Sequence, residues 1–494
     1  MADAWLIILS VVTALLILAA TVYIFFLFCH PDDNSYGAGW VAKGVVILAM
    51  AIVWGFVMLL PLDVANSRGE GGGLNMDLAY QIILIAYFIM MVAILPFMLF
   101  LYESDEDKPM STRLCWAATY SGFFVFSIAG LAFIAWVALR KAVISDAYQT
   151  SLVHFTRSEA SGTTVSQVLL HDRVAYNLPP YLFMIVFAIF LGWCLFVVFG
   201  GIGIVALPFD MILDYNYRPR PRTAIEMAEK KIALRRRCEE LSSFTNALEN
   251  LVEEELEKTG MISKWKAAKL IKTKEGKLKK EIDILEQEYE IYEEESTLTA
   301  NPIVNLVKLV VGCVFAIVSF FLVLHLVLYN VIVVKGKPLD FFLNTFLFWV
   351  EFKITRFFST IIFAFISMYL VFCVMKGNIK FGLRIFFLMP VHEMKLSRTY
   401  MNSFLFNTIL IQFSTLASVH FIIMLFSNYM QLTAGLNVFG ILVTKMRFLR
   451  FFWEEKVFLY IFLGMAVLTF AYLLLKPRDG RMDIKAMIAR RKNA

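Results

Sequence analysis

Nine apolar runs, each about as long as a bilayer crossing, leave this chain few folds to choose from. They lie near 5–28, 41–62, 78–101, 114–139, 181–207, 303–334, 357–374, 404–430 and 457–475. A membrane's hydrocarbon core takes roughly 20 helical residues to cross. The runs are unbroken rather than alternating, which selects helices over barrel strands. The chain has 494 residues, is 60% hydrophobic and has a mean hydropathy of +0.70. Soluble domains hold roughly 45–50% apolar residues. The sequence therefore predicts an all-α, polytopic membrane helix bundle with nine spanning helices. The first run has no basic residue before it and is too long for a signal peptide's apolar core. It reads as a spanning helix that stays attached.

Lys and Arg placement sets the expected orientation. With the N-terminus outside, 29–39, 102–113, 208–302, 375–402 and the tail from 476 become cytosolic. The tail holds Lys476, Arg478, Arg481, Lys485, Arg490, Arg491 and Lys492. In this orientation none of the six cysteines falls in an outer loop, and the chain has no Asn-x-Ser/Thr sequon. The net charge of +6 is small for the length and spread over loops and tail. It suits contact with membrane lipids rather than nucleic acid.

Four regions follow: a five-helix membrane region at 1–207, a cytosolic loop at 208–302, a four-helix membrane region at 303–475 and a basic tail at 476–494. The loop opens on RPRPR, where Arg218, Arg220 and Arg222 form a stiff basic collar suited to lipid or a partner. Leu234, Cys238, Leu241, Leu248 and Val252 then recur at helical spacing, with Thr245 in the missing position. Leu278, Ile282, Leu285, Tyr289 and Tyr292 repeat the pattern after a stop at Lys258-Thr259-Gly260. This predicts an antiparallel coiled-coil hairpin between spans five and six, able to bind a cytosolic protein. Residues 341–356 carry Glu351, Lys353 and Arg356 and read as an outer interfacial or re-entrant helix. The apolar stretch 381–394 reads as lying in the interface.

Two near-copies, LPLD with Pro61 and Asp63 and LPFD with Pro208 and Asp210, close spans two and five. A proline disfavours helical geometry in the residue before it. Each pair reads as an interface stop, with Asp63 pairing Arg68 and Asp210 pairing the collar. A possible ion or ligand site is the sharper alternative.

No catalytic or metal-ligand spacing appears among the six histidines, and no CxxC occurs. FGGIGIV places Gly200, Gly201 and Gly203 in an apolar run with no preceding strand, so close helix packing is expected rather than cofactor binding. We expect no enzyme activity, cofactor or metal. Span eight carries Asn407, Gln412, Ser414, Ser418 and His420. These polar residues either line a path for a ligand or tie helices together.

Several short stretches carry a resemblance when taken in order: HPDD at 30–33, LPLDVANSR at 60–68, ESDEDK at 103–108, FGGIGIVALP at 199–208 and MNSFLFN at 401–407. With the central helical loop between them, the chain resembles the limb-region-1, or lipocalin-interacting membrane receptor (LIMR), family, most closely its plant-like branch. The resemblance implies nine helices, an outer N-terminus and a non-enzymatic role at the plasma membrane or an endolysosomal membrane. Family members are described as endocytic receptors for lipocalins or as lysosomal proteins needed for cobalamin export. The implied function is thus a receptor or trafficking adaptor with a possible external ligand. The alternative is a transporter or transport accessory for a small amphiphilic, lipid or cobalamin-like solute. The outer loop 143–177 lacks the cysteines and glycosylation sites that relatives often carry, so no particular ligand is implied.

Overall fold

The computed structural model describes residues 4–30, 38–68, 73–104, 108–148, 170–216, 224–256, most of 274–292, 302–334, 337–385, 389–392, 394, 399–444, 446 and 449–475. Among these, nine helices are long and apolar enough to cross a membrane, and the protein is an integral, multi-pass membrane protein. Backbone contacts divide the chain into two units. One joins Met1–Leu207 with Ala316–Tyr472, and the other joins Pro208–Phe315 with Leu473–Ala494.

In the first unit, α1 (Ala4–Phe28) packs on α2 (Ala38–Ser67). The third crossing is α3 (Met76–Ile89), a π-helical turn (Met90–Ile94) and α4 (Leu95–Tyr102). Pro96 cannot donate to the carbonyl one turn back, and the ladder widens just before it, with the Leu95 amide bonding Met90. α5 (Met110–Leu139) leans on α4 and exposes most of its length, including Phe123, Phe126 and Phe133. A β-hairpin follows, β1 (Lys141–Tyr148) paired antiparallel with β2 (Leu170–Asn177) from Lys141↔Asn177 to Tyr148↔Leu170.

α6 (Pro180–Asn216) is the longest helix among those described. It does not stop at Pro208, nor does α2 stop at Pro61, which corrects the expected interface stops. Both Asp63 and Asp210 are helical. The reason is visible at Pro208. Its missing N–H frees the Ile204 carbonyl, and the Ser319 hydroxyl donates to that carbonyl at 2.6 Å. In lipid a freed backbone carbonyl must find such a donor, and once it has one the helix can run on.

α8 (Pro302–His325) continues into a π-turn (Leu326–Val331) and a two-residue hairpin, β3 (Val333–Val334) with β4 (Lys337–Pro338). α9 (Phe342–Lys353) is a separate short helix, as expected. The Thr355 hydroxyl caps the start of α10 (Arg356–Phe381) by accepting the Phe358 amide at 3.4 Å. The stretch after α10 forms a hairpin, β5 (Leu383–Ile385) with β6 (Met389–Val391).

α11 (Met401–Leu425) is the most buried of the crossings. It packs on α2, α4 and α10. α6 also comes close, because a Cβ on Gly192 would strike the Phe413 carbonyl. A π-turn (Leu436–Ile441), α12 (Arg450–Glu454) and α13 (Val457–Leu475) complete the membrane helices.

In the second unit α7 (Ala224–Leu256) is one unbroken helix. The described residues between 274 and 292 are also helical. Arg237 of α7 reaches Glu288 at 2.7 Å and Glu281 at 3.6 Å. Within the same unit Gly312 lies against Met211 and Ile212. The collar residues Arg218, Arg220 and Arg222 lie outside the described residues.

Candidate functional site

The polar residues of α11 form a buried column tied off at both ends. At the Leu425 end, the LPLDVANSR stretch of α2 holds three different elements. Asp63, only 1% exposed, accepts the Gly435 amide at 2.8 Å and the Ala434 amide at 3.4 Å. It caps the helical stretch that begins at those residues, and a carboxylate there complements the N-terminal end of the helix dipole. A side chain at Gly435 would have to displace its neighbours, because a Cβ would lie 2.7 Å from the Tyr80 hydroxyl and 3.3 Å from Asp63 Oδ2. Asn66 pairs its amide group with both backbone groups of Leu74, at 3.0 Å each, and fixes the entry to α3.

Arg68 does not pair with Asp63, contrary to expectation. Its guanidinium lies over the rings of Tyr429 (4.1 Å) and Phe348 (4.9 Å). It donates to the Tyr429 carbonyl and pairs with Glu351 of α9, which also faces Arg356 at 3.7 Å. Burial pulls the Arg68 pKa below its ordinary value, opposed by Tyr429. The guanidinium still stays charged, because arginine starts so high.

The last carbonyls of α11 are met by side chains from other elements. His325 Nε2 lies 3.0 Å from the Leu425 carbonyl, and Asn344 Nδ2 donates to the same oxygen at 3.2 Å. His325 Nδ1 accepts the Leu343 amide at 3.4 Å, which fixes the neutral ring with its proton on Nε2. Asn344 Oδ1 accepts the Tyr429 amide at 3.0 Å. The Ser359 hydroxyl donates to the Leu347 carbonyl at 3.0 Å and meets the Tyr429 hydroxyl at 2.6 Å. Helix ends leave such carbonyls without intrahelical partners, and burial makes external donors necessary.

At the Met401 end Asn407 is the hub. Its Oδ1 accepts from Asn378 Nδ2 at 3.1 Å, and its Nδ2 donates to the carbonyls of His392 (2.6 Å) and Ser403 (2.8 Å). His392 holds φ at +52°, a left-handed conformation uncommon outside glycine, which turns its carbonyl inward.

Between the ends, Ser414 and Ser418 are fully buried and spend their hydroxyls on their own helix, at the carbonyls of Leu410 (2.8 Å) and Ser414 (2.9 Å). Gln412 is fully buried, and neither of its amide atoms has a hydrogen-bond partner among the described residues. Its backbone carbonyl accepts the Tyr87 hydroxyl at 2.5 Å. His420 is also fully buried, with Nδ1 accepting Trp193 Nε1 at 3.1 Å. All five residues expected to line a path are thus enclosed by neighbouring helices.

The glycine run of α6 meets two elements. A Cβ on Gly203 would overlap the Cys373 carbonyl of α10, and Gly377 of α10 stands in the same relation to the Phe199 carbonyl. Gly201 faces Met465 and the Phe462 carbonyl of α13, and Gly200 faces Phe196 and Phe462. Among the described residues no group of three His, Cys, Asp or Glu side chains could hold a metal ion. Sequence reasoning missed Asn66, Asn344, Asn378 and Tyr429, and read Glu351 only as a charge interrupting an apolar run. Of the four missed residues, only Asn66 carried a signal, through its place in the LPLDVANSR stretch.

Known proteins are similar to this chain over most of its length. A family model described as LMBR1-like membrane protein matches residues 6–301. A LIMR family protein of Dictyostelium discoideum is 30% identical over 98% of this chain and 100% of its own length. LIMR family proteins of Oryza sativa subsp. japonica (29% identical; 94% of this chain, 95% of theirs) and Arabidopsis thaliana (28%; 97% and 98%) are similar. No solved structure matches the chain significantly. With a family model matched over more than half of its length, relatives that align with it nearly end to end and nine membrane-length helices among its described residues, this chain belongs to the LMBR1-like, or LIMR, family of multi-pass membrane proteins.

Proposed function

We propose that this protein is a non-enzymatic membrane receptor or trafficking adaptor. Its N-terminus is outside, its C-terminus is cytosolic, and α7 with the helical residues of 274–292 forms the cytosolic hairpin that recruits a protein partner. The observation that carries this reading is the pairing of Arg237 with Glu281 and Glu288, two carboxylates seven residues apart on one helical face. That pairing brings the two stretches side by side. Ile282 and Tyr289, on the apolar seam of the second stretch, remain 46% and 53% exposed. Apolar seam surface left open within the chain suits a further helix from a partner.

The test is deletion of 223–295 with proximity labelling in cells. The expected result is loss of a set of cytosolic neighbours while membrane insertion is unchanged. An unaltered neighbour list would refute the adaptor role.

A second reading, a transporter for a small amphiphilic solute, is favoured by one observation: the Gln412 amide is buried in α11 without partners. Buried polar groups in membrane helices often mark substrate pathways. On this reading Gln412→Leu abolishes flux in reconstituted vesicles with folding intact. Undiminished flux in the variant, or none in the parent protein for amphiphilic solutes, removes it.

A further inference from the structure

Around His420 the count of hydrogen-bond donors and acceptors does not close. His420, Trp193 and Trp453 meet in one aromatic cluster, with ring centres 4.8 Å apart for His420 and Trp453 and 5.4 Å for the two tryptophans. Phe458 stacks on Trp193 at 5.3 Å, and Phe421 closes another side at 5.9 Å. His420 and Trp193 are fully buried and Trp453 is 8% exposed. Each indole brings one N–H donor and no acceptor, and a neutral imidazole brings one donor and one acceptor. The three side chains therefore offer three N–H groups and a single accepting nitrogen. Trp193 takes that nitrogen at 3.1 Å, leaving His420 Nε2 and Trp453 Nε1 without partners among the described residues. Exchanging the tautomer or turning the ring changes which two donors are left over, not their number. Protonating the imidazole makes the mismatch worse. Buried donors in proteins are seldom left without an acceptor.

We propose that this aromatic box binds one neutral acceptor oxygen, which takes hydrogen bonds from both His420 Nε2–H and Trp453 Nε1–H. A water or carbonyl oxygen has two lone pairs for the two donors. A neutral group fits because the surrounding walls are aromatic, and an anion there would be desolvated. The oxygen has two sources, a buried water or the ester carbonyl of a membrane lipid. Trp453 itself keeps 8% of its surface exposed, on a short helix whose Phe451 is 61% exposed, so the box lies near the protein surface.

The experiment uses the full chain, labelled with indole-15N tryptophan, in nanodiscs of diester phosphatidylcholine and, separately, of diether phosphatidylcholine, which lacks ester carbonyls. The Trp453 indole signal is assigned by its loss in Trp453→Phe, or in Trp453→Tyr if the first variant fails to fold. The expected result is a Trp453 N–H proton shifted downfield, as hydrogen-bonded indoles are. If the shift collapses in diether lipid, the oxygen is a lipid ester carbonyl. If it persists in both lipids with a cross-peak to water, the oxygen is a water. A Trp453 N–H at the position of a free indole in both lipids overturns the proposal.

Discussion

Asp63→Ala is expected to destabilise the detergent-purified protein by about 3 kcal/mol. The carboxylate is buried and accepts the amides of Ala434 and Gly435, while the Thr433 hydroxyl in the same turn accepts the next amide, Leu436. A buried donor left unsatisfied costs about 1–3 kcal/mol, and here two are orphaned at once. Asp63→Asn keeps one acceptor oxygen and should lose about half as much. Thermal unfolding followed by size-exclusion recovery reads both. If the Ala variant melts with the parent, Asp63 is not the cap of the 434–435 turn.

Gly203→Ala should be at least as damaging, at about 3 kcal/mol or failure to accumulate. The added Cβ meets backbone, the Cys373 carbonyl, which cannot move aside by changing rotamer. The reciprocal contact of Gly377 with the Phe199 carbonyl holds α6 and α10 at the same separation, so relief at one point opens the other. Overpacking a well-filled core typically costs 1–3 kcal/mol, and a backbone collision belongs at the upper end. Gly44→Ala is the control. Nothing lies within 4 Å of its would-be Cβ. Replacing a mid-helix glycine there should raise stability by roughly 0.5–1 kcal/mol. Equal melting of the Gly203 and Gly44 variants would contradict the close crossing.

The bundle was legible because the membrane imposes one local rule on every crossing. A long apolar run must close its own hydrogen bonds, so span number and approximate bounds follow from composition alone. The short helix α9 was legible too, through the charges that interrupt its run. What could not be read depended on distant partners. Whether a helix ends at Pro208 turns on Ser319, over a hundred residues later in the chain, donating to the carbonyl that the proline frees. Asp63 looked destined for Arg68, five residues on. It instead takes backbone amides 371 and 372 residues away, while Arg68 takes Glu351 and two aromatic rings. The β1–β2 hairpin was hidden because the argument for helices concerned lipid-exposed backbone only. The polar set on α11 was visible residue by residue. Its enclosure was not, since burial belongs to the helices that surround it.

The Asp63 cap also sets a clock. Once Asp63 is made, the ribosome must add a further 372 residues before the Gly435 amide exists. At about 5–20 residues per second this takes roughly 20–75 s. For that interval the nascent protein holds a carboxylate at the end of a membrane helix whose native ligands have not been made. Assembly of this family member therefore cannot proceed strictly from first helix to last. Its second helix is completed by backbone made 371 and 372 residues after Asp63, and until then α2 is a client for whatever shelters unfinished helices in the membrane.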